Sequence, residues 1–94
     1  MKAEYKIELA PLAQRQLKKL PENLKRTLIK KLETLKLKPL PSGIKKLAGM
    51  DELYRLRVGD YRVIYKVEHN TLLILVLKIG HRRDIYNNLS LLIK

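Results

Sequence analysis

An α+β fold is predicted: an N-terminal strand, a helical hairpin, a three-stranded antiparallel meander, and a short C-terminal helix. Three observations predict it. Apolar residues recur at helical spacing between Pro11 and Leu37. They alternate with charged ones on both sides of Gly59-Asp60. The run Leu72 to Ile79 is almost wholly apolar, as in a strand covered on both faces. Together these give a four-stranded sheet with a helical hairpin over one face. A chain of 94 residues is one small domain, spanning 1–94.

Tyr5 to Leu9 reads as a strand, because Ile7 and Leu9 alternate with Lys6 and Glu8. Pro11 suits the first turn of a helix that runs to about Leu20 with Ala13, Leu17 and Leu20 on one side. A second helix is predicted from Glu22 to about Leu37, with Leu24, Leu28, Leu32 and Leu35 as its apolar stripe. Pro39 and Pro41 end it, and Lys38 to Gly49 reads as a loop. Leu53–Val58 and Tyr61–Val67 form a hairpin around Gly59-Asp60, whose leading glycine suits a type II′ turn. His69-Asn70 marks a turn before the apolar strand. Asp84 to Lys94 has Ile85, Leu89 and Leu92 at helical spacing.

The net charge is +12, from 21 Lys and Arg against 9 Asp and Glu. Such an excess calls for an anionic partner, either nucleic acid or an acidic protein. The first fifty residues carry 13 basic and 4 acidic side chains, the rest 8 and 5. The helices thus supply most of the field, with Lys18, Lys19, Lys30 and Lys31 attracting a partner diffusely. A membrane partner is not expected, because the apolar run Leu72 to Leu77 is far shorter than the roughly 20 residues of a span. The chain has no cysteine, so disulfides and thiolate chemistry are excluded and a cytoplasmic location fits. The two histidines, His69 and His81, have no carboxylate cluster beside them, so neither metal nor cofactor is expected.

A type II′ hairpin sets Arg57 against Arg62 and Arg55 against Ile64, which places Arg55, Arg57 and Arg62 on one face. A solvated face with no role is the plain alternative. Like charges directly opposite cost up to about 1 kcal/mol, however, so keeping Arg57 against Arg62 suggests use on an anion. The run Gly80-His81-Arg82-Arg83-Asp84-Ile85-Tyr86 adds two guanidiniums and a phenol. These are the parts needed to hold a phosphodiester. Simple alternation does not put Arg82 on the face of Arg62, but Gly80 permits a bulge or turn that would. Tyr54, Tyr61 and Tyr65 fall on the opposite face and are expected to pack against the helices.

These segments resemble the RelE-type toxins of toxin–antitoxin pairs, in the RelE/ParE superfamily. The resemblance rests on Lys46-Leu47-Ala48-Gly49, Tyr54-Arg55-Leu56-Arg57, Gly59-Asp60-Tyr61-Arg62-Val63-Ile64-Tyr65 and Ile79 to Tyr86, together with the element order. It implies a metal-independent endoribonuclease that cuts mRNA in the ribosomal A site. It also implies a RelB-like antitoxin, acidic or amphipathic, that wraps the toxin; operator DNA would be met only through the complex. By family position Arg62, Arg82 and Tyr86 are the expected catalytic residues, and Arg55, Arg57, Arg83, Lys45 and Lys46 the expected RNA contacts. Arg55 and Arg57 stand where the family carries lysines. A guanidinium holds its proton, so proton transfer falls to Tyr86, with His81 as runner-up. Two rival readings share the hairpin: a ParE-type toxin that inhibits DNA gyrase by contact, and a degenerate member that only binds antitoxin.

Overall fold

The computed structural model describes residues 4–42, 44–47 and 52–87. Its elements are β1 (Lys6–Leu9), α1 (Pro11–Lys18), α2 (Glu22–Thr34), β2 (Lys45–Lys46), β3 (Leu53–Val58), β4 (Tyr61–Glu68) and β5 (Leu73–His81). They build one sheet in the order β1-β5-β4-β3-β2, with β1 parallel to β5 and the other pairs antiparallel. The α+β class holds, but the sheet has five strands and not four. The fifth is Lys45–Lys46, which lies in the stretch read as loop and pairs with Tyr54 and Arg55. Two adjacent lysines carry no strand periodicity, so only the neighbouring strand reveals this one.

The helices cover one face. Pro11 opens α1, and Ala13 is fully buried against the sheet, a small side chain where helix and sheet meet closely. On α2 the leucine stripe works as expected: Leu28, Leu32 and Leu35 are buried, and Leu24 packs against them. The helix stops at Thr34, short of Leu37. Leu35 and Lys36 donate to carbonyls three residues back, the tighter geometry common in a last turn. Leu37 is 60 % exposed. The core under the helices takes Leu56, Val58, Val63, Tyr65, Val67, Ile74, Val76 and Ile79 from β3, β4 and β5. Burial, and then neighbouring Tyr54, pushes the Tyr65 phenol above its ordinary range. Its hydroxyl donates to the Pro39 carbonyl at 2.8 Å, fastening the loop after α2.

The hairpin register is the one expected. Val58 pairs with Tyr61, Arg57 with Arg62, and Arg55 with Ile64. Gly59 has φ +60° and Asp60 does not share the positive φ, which is the type II′ pattern. No atom lies within 4 Å of where a Cβ would stand on Gly59, so backbone conformation rather than space requires the glycine.

β5 was expected to be buried on both faces. Only its helix side is: Ile74, Val76 and Ile79 are buried, whereas Leu73, Leu75 and Leu77 are half-buried. The far face has a smaller apolar cluster of Leu53, Ile64 and Ile85, with Leu47 and Leu77 against it. The expected C-terminal helix is not seen at its start. Residues 82–87 form successive turns, and 88–94, with Leu89 and Leu92, lie outside the described residues. Among the described residues no helix is long and apolar enough to cross a membrane.

Candidate functional site

The face away from the helices carries the basic side chains. Residues paired across a ladder share a face, so the register puts Lys45, Arg55, Arg57, Arg62, Lys66 and Lys78 together there. Lys66 is neutralised by Glu52 at 3.7 Å and Glu68 at 3.6 Å. Lys46 pairs with Tyr54 and falls on the opposite face from Arg55. Of the two neighbouring lysines expected to bind RNA, the register brings only Lys45 to the arginines.

Arg62 is folded back on the hairpin turn. Its Nη1 donates to the carbonyls of Gly59 and Tyr61, at 2.9 Å each. A guanidinium has five N–H donors, so the Nε and Nη2 edge remains open for an anion. Arg57 is exposed beside it. Arg55 is half-buried and its Nη1 donates to the Tyr86 hydroxyl, with the guanidinium carbon 5.9 Å from the ring centroid. The phenol therefore joins the arginines although 31 residues separate it from Arg55.

Three features turn the chain back so that Tyr86 arrives there. The Arg82 N–H donates to the Asp60 carbonyl, tying the end of β5 to the hairpin turn. The Ile85 N–H reaches back to the His81 carbonyl. Ile85 is then fully buried over Leu53 and Ile64. Gly80 gives it room: a Cβ there would already touch the Ile85 Cδ1 at 3.5 Å. Gly80 is therefore a flat seat opposite Arg62 and not the bulge expected of it. The bulge lies earlier, where Leu77 and Lys78 both stand against Ile64.

The remaining expected residues are less gathered. Arg82 and Arg83 are exposed just past β5, and neither guanidinium makes a hydrogen bond or ion pair among the described residues. His81 pairs with Tyr61, on the helix side, its ring edge-on to that tyrosine at 5.6 Å. Its Nδ1 lies 3.2 Å from the Arg83 N–H. The structure does not bring His81 to the arginine face. His69, expected to be without a role, is hydrogen-bonded to the Tyr5 hydroxyl at 2.9 Å.

Lys78 went unnoticed in the sequence. Strict alternation from Ile74 and Val76 would aim it at the helices, and no sequence signal shows the bulge. One sign was available, namely a lone lysine inside an otherwise apolar strand.

A groove of about 590 Å³ lies elsewhere, between β1 and the two helices. Glu4, Glu8 and Glu33 line it, so it repels a polyanion. Size does not mark the basic site, which is an open sheet face.

The sequence family described as the ParE toxin of type II toxin–antitoxin systems, parDE, matches residues 7–86. The chain belongs to that family. The match spans every site residue from Arg55 to Tyr86. The toxin is also 35% identical over 88 residues to the Methanocaldococcus jannaschii protein named "Putative toxin RelE1", covering 90% of this chain and 98% of that one. Its fold is similar to RelE in the archaeal RelE–RelB complex from Pyrococcus horikoshii OT3, with TM-score 0.75 and 31% identity over 89% of this chain and 99% of that one. The isolated E. coli RelE toxin matches with TM-score 0.75 and 25% identity, over 82% of this chain and 83% of that one. Within the RelE/ParE superfamily the chain is thus a RelE-type toxin.

Proposed function

We propose that this toxin is an endoribonuclease that cuts mRNA in the ribosomal A site, and that a RelB-like antitoxin neutralises it. The observation that carries this reading is the convergence of Arg55, Arg57, Arg62 and Tyr86 on one open face. RNA brings its own nucleophile. The 2′-oxygen attacks phosphorus, the bond from phosphorus to the 5′-oxygen breaks, and a 2′,3′-cyclic phosphate and a 5′-hydroxyl result. One proton leaves the 2′-hydroxyl and one reaches the departing 5′-oxygen. Arg62 is the clamp for the charge that builds on phosphate, with its open guanidinium edge fixed by two backbone carbonyls. Arg82, mobile in its choice of partner, supplies a second guanidinium from the neighbouring turn. Arg55, Arg57 and Lys45 hold the flanking backbone. Guanidiniums thus provide the charge compensation, and no step calls for a metal ion.

Proton exchange falls to Tyr86. Its oxygen accepts from Arg55, which leaves its own O–H directed toward a substrate oxygen. A ring on this face also offers a base a stacking surface. His81 faces the other way with its Nδ1 engaged, so the geometry favours Tyr86 of the two.

RelE proteins from Pyrococcus horikoshii and from E. coli have been crystallised with RelB. An acidic partner of that kind suits a chain of net charge +12. Acting on ribosomes, the toxin works in the cytoplasm.

The name of the matching family favours a second reading, a ParE-type toxin that inhibits gyrase by contact. Such a protein has no use for a phosphate site. Expression of the toxin alone, followed by primer extension on translated and untranslated mRNA, separates the two. Cuts that require ribosome occupancy and survive EDTA in a chelator-tolerant assay are expected. Intact mRNA with inhibited supercoiling would replace this reading with the gyrase one.

A further inference from the structure

The bulge in β5 decides which side chains reach the arginine face. Before it, Ile74 and Val76 point into the helix-covered core. At the bulge, Tyr65 takes Val76 as partner and Ile64 takes Lys78, leaving Leu77 as the extra residue. Alternation then resumes in the opposite phase. Ile79 enters the core, and Lys78 and Gly80 join the face of Arg62. The Ile79 N–H donates to the Gln16 side chain of α1 at 2.7 Å, which secures the shifted phase.

Lys45, Arg55, Ile64 and Lys78 consequently form one row across β2, β3, β4 and β5. Arg55 and Lys78 are two strands apart, about 10 Å at the usual spacing. The segment 85–87 lies across that gap. Ile85 is buried over Ile64 in the middle, the Tyr86 hydroxyl accepts from Arg55 on one side, and the Asn87 carbonyl accepts from Lys78 Nζ at 2.6 Å on the other.

These two cationic holds are not equivalent once RNA binds. A phosphate is a stronger acceptor than a phenol, so Arg55 can exchange the Tyr86 hydroxyl for the substrate. Lys78 holds a main-chain carbonyl one residue beyond Tyr86, and this contact need not be given up. The geometry points to Lys78 as a positioning residue that keeps Tyr86 over the arginine face after Arg55 has turned to phosphate. This rests on the nuclease reading above. It assigns Lys78 no contact with the reacting atoms.

The test combines single-turnover cleavage of ribosome-bound mRNA with amide exchange on the free toxin. Lys78→Ala should slow the cleavage step about tenfold at saturating ribosomes, the scale of a misplaced group, and leave half-saturation within about twofold. The Ile85 and Asn87 amides should exchange at least about tenfold faster, as local opening becomes easier. Lys78→Arg, which keeps an N–H donor, should restore both. In a Tyr86→Ala background, Lys78→Ala should add no further loss of rate, because the two changes act through one group. Slower cleavage with unchanged exchange, or losses that add in the double variant, would mean that Lys78 acts on the RNA itself and would overturn the assignment. So would unchanged cleavage and exchange. If the unmodified toxin leaves mRNA intact, the nuclease reading is what fails. The exchange arm then still shows whether Lys78 holds the segment, and unchanged exchange would end that idea too.

Discussion

Arg57 and Arg62 face each other directly across the β3–β4 ladder, and Arg57 has no bonded partner among the described residues. The pair opposes folding and favours an anion. Arg57→Thr should therefore raise the stability of the free toxin at low salt, by up to about 1 kcal/mol. The same change should weaken RNA binding and flatten its dependence on salt. Urea unfolding alongside binding at several salt concentrations measures both. Lower stability in the variant would show that the arginines are accommodated by some other contact.

Arg62→Ala should reduce mRNA cleavage by about 100-fold or more, the scale of losing one donor to a developing charge. Arg82→Ala should behave similarly although its side chain is exposed and unbonded in the free toxin. Both variants should keep the far-UV spectrum of the parent. Full toxicity of either at equal expression removes that residue from the site.

Gly80 and Ile85 make a paired prediction. Ile85→Ala empties a fully buried position and should cost about 2 kcal/mol or more. It should also release Tyr86 and depress cleavage. Gly80→Ala should be nearly silent, because its new methyl would meet Ile85 at an ordinary contact distance of 3.5 Å. Gly80→Val should resemble Ile85→Ala, since a branched side chain displaces Ile85 from its seat. Equal behaviour of the two Gly80 variants would show that the seat is unimportant.

Tyr65 sets an alkaline limit. Its phenol is pushed upward in the folded state, first by burial and then by Tyr54. The folded protein thus binds this proton more tightly than the unfolded chain does. The stabilisation is complete below the unfolded value of about 10 and is lost as pH climbs past it. Tyr65→Phe, which also gives up the bond to Pro39, should cost about 1 kcal/mol at neutral pH. The gap between the two proteins should close above about pH 10. A gap that widens there would contradict the burial of the phenol.

The parts of the fold legible in the sequence were those with a repeating pattern or a specific turn. The leucines of α2 occupy the core as their spacing implies, and Gly59-Asp60 alone was enough to pair Arg57 with Arg62. Contacts that depend on a distant partner were not legible. Lys45–Lys46 becomes a strand only because β3 runs beside it. Helical spacing in Ile85, Leu89 and Leu92 suggested a helix, yet Ile85 serves as an anchor within a turn. The bulge leaves no trace in composition, so the phase of β5 after Val76, and with it the place of Lys78, had to come from the structure. For the same reason His81 was weighed as an acid–base group before its face was known.

The parallel pairing of β1 with β5 also constrains the time at which the protein can exist. Ile7 stands beside Ile74, and Leu9 beside Val76. A chain growing from its N-terminus holds β1 without its only strand neighbour until the residues of β5 have emerged. The arginine hairpin is made earlier, but the turn that delivers Tyr86 follows β5 and needs Ile64, Gly80 and Ile85 to be docked together. The sheet and the site are therefore completed late in synthesis, almost in the same step. A ribosome making this toxin is spared a working copy until the chain is nearly finished, and an antitoxin made alongside has that interval in which to be ready.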